Sequence, residues 1–183
     1  MNDICVFFGE GYEEIEALTV VDILRRAEIP VKMVSITGER EATGSHQITV
    51  KMDCLLSEVD FDKVEMIVLP GGMPGTKNLE ACEALMEQVD AFVKEDRPVS
   101  AICAAPSILG HRGHLQDRRA CCFPGMEDQL AGAEVMYEPS VVSGNITTGR
   151  GLGAAIPFAL SIMERYKGRE AAQAMAEKIV YQR

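Results

Sequence analysis

The sequence has no basic run, no apolar stretch approaching ~18–20 residues and only three histidines, and each absence removes a class of function. Lys and Arg number 18 against 28 Asp and Glu, a formal net charge of −10. A phosphate-backbone binder needs clustered cations, so no nucleic-acid binding is expected. No membrane span is expected either. The opening Met1-Asn-Asp-Ile-Cys-Val enters a strand at once, which leaves no room for a signal peptide and points to a cytoplasmic protein. The six cysteines, at 5, 54, 82, 103, 121 and 122, have no regular spacing. They read as reduced thiols, with neither a disulfide framework nor a zinc site expected. Repeats, low-complexity tracts and linkers are also missing, so 1–183 reads as a single domain long enough to bury a sizeable core. Hydrophobic residues at 47% and charged residues at 25% are ordinary for a globular chain.

What is present is an alternation of two hydrophobic periods. A continuous apolar run at 4–8 reads as a buried strand, 31–36, 66–69 and 99–102 read as further strands, and 47–52 as a strand of an edge hairpin. Later strand candidates are 134–137 and 141–148. Between them lie helical patterns. One starts at Glu13 with Ile15, Leu18, Val21, Ile23 and Leu24 on its apolar face and Arg25-Arg26 near its end. Others span 79–94, 104–110, 152–166 and 169–181, the last two divided at Gly168. This order predicts an α/β fold with a mainly parallel sheet covered on both faces. Ligands of such sheets bind beyond the carboxyl ends of the strands, where 9–16, 70–75 and 103–106 should converge. His111-Arg-Gly-His114 reads as a solvated loop, Cys121-Cys122 as buried or half-buried thiols pointing opposite ways, and the ten methionines as core filler.

Cys103 is the most informative residue. In Val99-Ser-Ala-Ile-Cys103-Ala-Ala-Pro106 a strand ends at the cysteine and a helix begins directly after it. With no residues left for a loop, the backbone must turn sharply at Cys103, in a strained conformation. That places the sulfur at a sheet's carboxyl edge and a helix N-terminus, a setting in which a thiol pKa falls to roughly 3.5–7.5. Glu16 lies where a carboxyl can turn toward the same edge. In a semi-apolar cleft it stays protonated near neutrality and can donate a hydrogen bond to a thiolate. On helical pattern alone it is equally a third solvated glutamate after Glu13 and Glu14, which read as capping or surface charges. Gly71-Gly72 allows close backbone approach, so the amides of Gly72 and Ala104 can face an oxyanion beside the sulfur; a tight turn explains the glycines as well.

Five segments resemble one family in order and spacing across nearly the whole chain. They are Glu13-Glu-Ile-Glu16-Ala, Val20-Val-Asp22-Ile-Leu-Arg-Arg26-Ala, Leu69-Pro-Gly-Gly72-Met-Pro-Gly, Ala101-Ile-Cys103-Ala-Ala-Pro106 and Thr148-Gly-Arg150-Gly-Leu-Gly153. Together they are similar to the ThiJ/PfpI superfamily, in the branch of the Parkinson-disease deglycase and its YajL-like relatives. The resemblance implies a flavodoxin-like three-layer sandwich, a homodimer and a cofactor-independent enzyme. It implies Cys103 as nucleophile, Glu16 as acid/base, Gly71, Gly72 and Ala104 around the oxyanion, and Arg150 near the thiol. It implies small reactive aldehydes or glycated groups as substrates, and glyoxalase, deglycase, oxidation-sensing or chaperone roles. Two departures stand out. Phe123, before Pro124, replaces a histidine found in some members and matches the YajL-like ones, which leaves proton transfer to Glu16. His46 replaces a pocket arginine of the edge hairpin. A cysteine peptidase of the superfamily has a histidine after the nucleophile, where this chain has Ala104, and an amidotransferase needs a histidine beyond His114, where there is none.

Overall fold

A computed structural model describes residues 2–182. Its strands, in chain order, are β1 (Asp3–Phe8), β2 (Val31–Ser35), β3 (Glu41–Thr43), β4 (Thr49–Lys51), β5 (Cys54–Leu55), β6 (Val64–Leu69), β7 (Val99–Ile102), β8 (Arg119–Ala120), β9 (Glu134–Val135), β10 (Ser140–Ser143) and β11 (Ile146–Gly149). The helices are α1 (Glu14–Arg26), α2 (Gly75–Glu80), α3 (Glu83–Lys94), α4 (Pro106–His111), α5 (Ala155–Lys167) and α6 (Arg169–Lys178).

Seven strands form one sheet in the order β10-β11-β7-β6-β1-β2-β5. Every pairing is parallel except that of β10 with β11 at the edge. Successive side chains of a strand point to opposite faces, so β1 feeds two cores at once. Ile4, Val6 and Phe8 pack with α1, α5 and α6 on one face, and Cys5 and Phe7 with α3 and α4 on the other. This is a flavodoxin-like α/β sandwich, and it explains why its central strands are mostly apolar: β1, β6 and β7 are covered on both faces. β3 and β4 form the expected hairpin, apart from the main sheet.

Several boundaries differ from the sequence pattern. The stretch 79–94 is two helices rather than one, broken at Ala81-Cys82. Leu79 and Leu85 would lie about 240° apart on a straight helix, and the break lets both enter the same core. The stretch 141–148 is a hairpin, turning at Gly144 (φ 63°). Of 134–137 only β9 forms, pairing with β8 away from the central sheet. The 152–166 helix starts as a short 3-10 turn (Leu152–Ala154) before α5, and α6 stops at Lys178. On α1, Ile15 is half exposed, and the buried face carries Glu14 and Glu16 beside Ala17, Val20, Val21, Ile23 and Leu24. The His111–His114 stretch is not a free loop. His111 bonds Glu80 at 2.7 Å and Gln129 at 2.8 Å, and His114 bonds Asp90 at 2.6 Å, tying α2 and α3 to the end of α4. Among the described residues no helix is long and apolar enough to cross a membrane.

Candidate active site

β1, β6 and β7 are adjacent in the sheet, so the turns that follow them meet at one edge. After β7 the chain turns at Cys103 with φ +64°, a left-handed conformation that a residue with a Cβ adopts only under constraint. The constraint is visible. The Cys103 amide donates to the Gly149 carbonyl at 2.9 Å, and its carbonyl accepts from the Phe123 amide at 2.8 Å. Pro106 then opens α4, where its lack of an N–H costs nothing. The helix has only six residues, so its dipole is a small influence on the sulfur. The amides of Ala104 and Gly72 lie near enough to the sulfur to act to lower its pKa.

The first turn of α1 faces the elbow. Glu13 caps the helix, accepting from the Ile15 amide at 3.0 Å, and its own amide donates to the Gly71 carbonyl at 2.9 Å. That stitch holds the turn after β6 against the helix start. Glu16 is fully buried, with Oε2 accepting from the Gly71 amide at 3.0 Å. Oε1 has no hydrogen-bond partner among the described residues, and the carboxyl lies beside the Cys103 thiol, which acts to lower its pKa. Gly71 is the pivot of this contact. A Cβ there would stand 2.5 Å from Glu16 Oε2 and 2.6 Å from Cys103 Cβ, so only glycine lets acid and thiol meet. Gly72 takes φ +92° over the backbone of Tyr12 and Glu13 and has no room for a side chain either.

Burial raises Glu16 to about 7, helped by Glu13 and opposed by the bonds from Cys103 and Gly71. Burial also pushes the Cys103 thiol up, and an ionised Glu16 pushes it further; the amides of Ala104 and Gly72 pull the other way. The sequence expectation of a thiol simply lowered by a helix terminus is therefore corrected. The pit does not tolerate two negative charges, and because the carboxyl rises only to about 7 while the thiol is pushed well above its ordinary range, Glu16 loses its proton first and can serve as the base for the thiol.

Glu14 corrects another expectation. It is buried, not on the surface. Its Oε1 accepts from the His46 amide at 2.7 Å, and its Oε2 lies 3.0 Å from His46 Nδ1. His46 thus clasps the β3–β4 hairpin to α1. Glu13, Glu14 and His46 are close enough together to hold a metal ion, but both Glu14 oxygens are already satisfied by the hairpin, so the cluster fits a clasp better than a ligand cage.

On the other side of the sulfur a groove of about 390 Å³ runs along Phe123, Pro124, Tyr137, Pro139 and 150–154. Arg150 lines it. Its guanidinium donates to the Tyr137 carbonyl at 3.0 Å and lies over the Tyr137 ring, and among the described residues it makes no hydrogen bond to Cys103. Sequence reasoning missed Gly151 and Tyr137 here. Gly151 sits inside the quoted glycine-rich motif, so its signal was present; Tyr137 carried none.

Residues 2–165 match the model of the DJ-1/PfpI family. The chain is 33% identical to Protein DJ-1 homolog B of Arabidopsis thaliana over 168 residues, covering 91% of this chain and 38% of that one. It therefore spans well under half the length of that plant relative. It is 30% identical over 165 residues to the glutathione-independent glyoxalase DJR-1.2 of Caenorhabditis elegans, covering 88% of this chain and 86% of that one. The solved structure of Toxoplasma gondii DJ-1 in an oxidized form superposes with a TM-score of 0.95 at 31% identity, with each chain fully covered.

Proposed function

Because the chain belongs to the DJ-1/PfpI family, we propose that it is a cofactor-independent glyoxalase or protein deglycase acting on methylglyoxal or its early adducts. The observation that carries this reading is the close approach, over Gly71, of a strained-backbone thiol and a buried carboxyl whose pKa is raised to about 7. The named activity of the nematode relative supports the substrate class.

The chemistry needs one charge and one mobile proton. The Glu16 carboxylate takes the thiol proton as the Cys103 sulfur attacks the aldehyde carbon and forms a C–S bond, while the carbonyl electron pair moves to oxygen. The amides of Gly72 and Ala104 steady that alkoxide, and protonated Glu16 supplies its proton. The Glu16 carboxylate then removes the hydrogen on the former aldehyde carbon and returns it to the neighbouring ketone carbon, while the hydroxyl proton of the first carbon passes to the former ketone oxygen, leaving a hydroxy thioester. The first carbon is oxidised and the second reduced, so no external redox partner is required. Water cleaves the resulting thioester, releasing a hydroxy acid and the thiol. Glu16 carries every proton step, because Phe123 stands where a histidine base would be.

Purified protein should convert methylglyoxal to lactate without added cofactor. Cys103→Ser should abolish the conversion, and Cys121→Ser, whose buried sulfur meets the Thr148 hydroxyl, should not. Turnover by Cys103→Ser would refute the reading.

The same geometry favours a second reading, oxidation sensing. The donors that stabilise an alkoxide, with the Glu16 acid, suit the oxygens of a Cys103 sulfinate equally well. Mass spectrometry after mild peroxide should find the modification at Cys103; an unmodified Cys103 eliminates this role. Two copies pair through the outer face of α1, where Ile15 and Leu18 share an apolar groove with Ile156 and Ile179, and the protein works in the cytoplasm. A concentration-independent monomer mass would remove the dimer.

A further inference from the structure

We propose that the groove beside Cys103 is a subsite for an apolar, preferentially aromatic, substituent on the carbonyl substrate, walled by Phe123 and Leu152, with Arg150 receiving the carboxylate that forms. This deepens the aldehyde reading above and rests on it.

Three observations support the assignment. First, the groove is continuous with the reactive atom. A Cβ on Gly151 would lie 4.0 Å from Cys103 Sγ and 3.3 Å from the Phe123 ring, so the missing side chain keeps a passage open between sulfur and groove. Second, the lining is unusual for this surface. Eight large hydrophobic side chains are exposed among the described residues, and three of them, Phe123, Tyr137 and Leu152, line this groove. At about 390 Å³ it falls within the range of ligand clefts, roughly 300–1,000 Å³, and exceeds what a methyl group would fill. Third, the polar group on the lining matches the product. Arg150 gives one donor to the Tyr137 carbonyl, and a guanidinium has five, so it can still hold a carboxylate.

Phe123 is fixed from below. Its amide is tied to the Cys103 carbonyl, which holds the Phe123 backbone at the rim beside the elbow. Where other members place a proton-transferring histidine, this chain has a wall suited to stacking. An oxoaldehyde bearing an aromatic ring would present its aldehyde carbon to sulfur with the ring against Phe123 and Leu152.

Two measurements test this. In the first, Cys103 is alkylated by iodoacetamide in the presence of mandelate or lactate, the aromatic and methyl hydroxy acids, and followed by mass spectrometry. Mandelate should protect at about tenfold lower concentration than lactate. Phe123→Ala and Leu152→Ser should each erase the difference, whereas Val142→Ser, exposed on the β10 edge, should preserve it. Equal protection by the two acids in the parent protein overturns the inference, whether or not the protein is an enzyme. In the second, the kcat/KM ratio of phenylglyoxal to methylglyoxal should fall about tenfold in both groove variants. An unchanged ratio with methylglyoxal still consumed refutes the subsite and leaves the aldehyde reading standing. Consumption of neither compound refutes that reading, and the protection data still decide the subsite. Loss of both activities together with a dimer-to-monomer change in the groove variants assigns the groove to a second copy of the chain and overturns the proposal.

Discussion

Glu14 and Glu16 lie two residues apart on the first turn of α1, and both are buried, yet their surroundings drive them in opposite directions. Burial works to raise each carboxyl. At Glu14 the hydrogen bonds of the His46 ring and of the hairpin backbone outweigh it, and the group sits below the usual carboxylate range. At Glu16 one amide and a thiol do not outweigh it, and the group rises to about 7. Burial by itself thus does not decide whether a glutamate is a structural anion or a proton carrier. The number of donors aimed at it does. A hairpin clasp and a reactive pit come from the same helical turn.

The strongest way to break this comparison is to remove the proton carrier alone. Glu16→Gln keeps the shape of the side chain and the Gly71 contact but cannot move protons. Methylglyoxal turnover should fall by about 10²–10⁴-fold, while Glu14→Gln should lower it far less. Equal losses in the two variants would erase the distinction.

The next effect is on stability against pH. Glu16 ionises at an ordinary 4.5 when unfolded and at about 7 when folded. Its contribution is complete below 4.5 and is lost as pH rises toward 7. That gap corresponds to about 3 kcal/mol. Urea unfolding should show the parent protein losing about this much between pH 4 and 8, and Glu16→Gln losing correspondingly less. Identical pH slopes would show that the carboxyl is not raised.

Gly71→Ala probes the pivot between the two groups. Its methyl would collide with both the Glu16 carboxyl and Cys103, so either must move. Thermal unfolding should show a destabilisation of about 1–3 kcal/mol, and the separated acid and thiol should lose the sulfur's reactivity toward iodoacetamide. A variant as stable and as reactive as the parent would disprove the close contact.

The smallest effect has the opposite sign. Glu14 is lowered in the folded state, so its contribution is present at neutral pH and lost on acidification through its folded value. In Glu14→Gln the acid-side loss of stability should shrink slightly. With His46 largely exposed, the ion-pair part is small. A larger acid-side loss would count against the clasp.

Much of the fold was legible in the sequence because a parallel sheet buried on both faces leaves largely apolar runs, and 4–8 and 66–69 show them clearly. The elbow at Cys103 was legible for a similar local reason: strand and helix patterns abut without a loop. The helix boundaries were less so. The break at Ala81-Cys82 arises because Leu79 and Leu85 must enter one core, which periodicity within the segment does not record. The role of Glu14 escaped for a longer-range reason, since the groups that bury it come from a hairpin some thirty residues later. The donors around Cys103 were readable only as candidates, because Gly71-Gly72 fits an ordinary tight turn until the neighbouring helix is in place.

By itself the sequence determined the layered α/β plan, the strained turn at Cys103 and the absence of a histidine next to it in the chain. These follow from local periodicity, from residue type and from chain order. Only the tertiary structure decided which of three neighbouring glutamates meets the sulfur, which is clasped by the hairpin, and which side of the thiol opens into an aromatic groove. Helical phase sets the direction of each side chain. Its partners, and so its charge, come from segments distant in the chain that packing alone brings together.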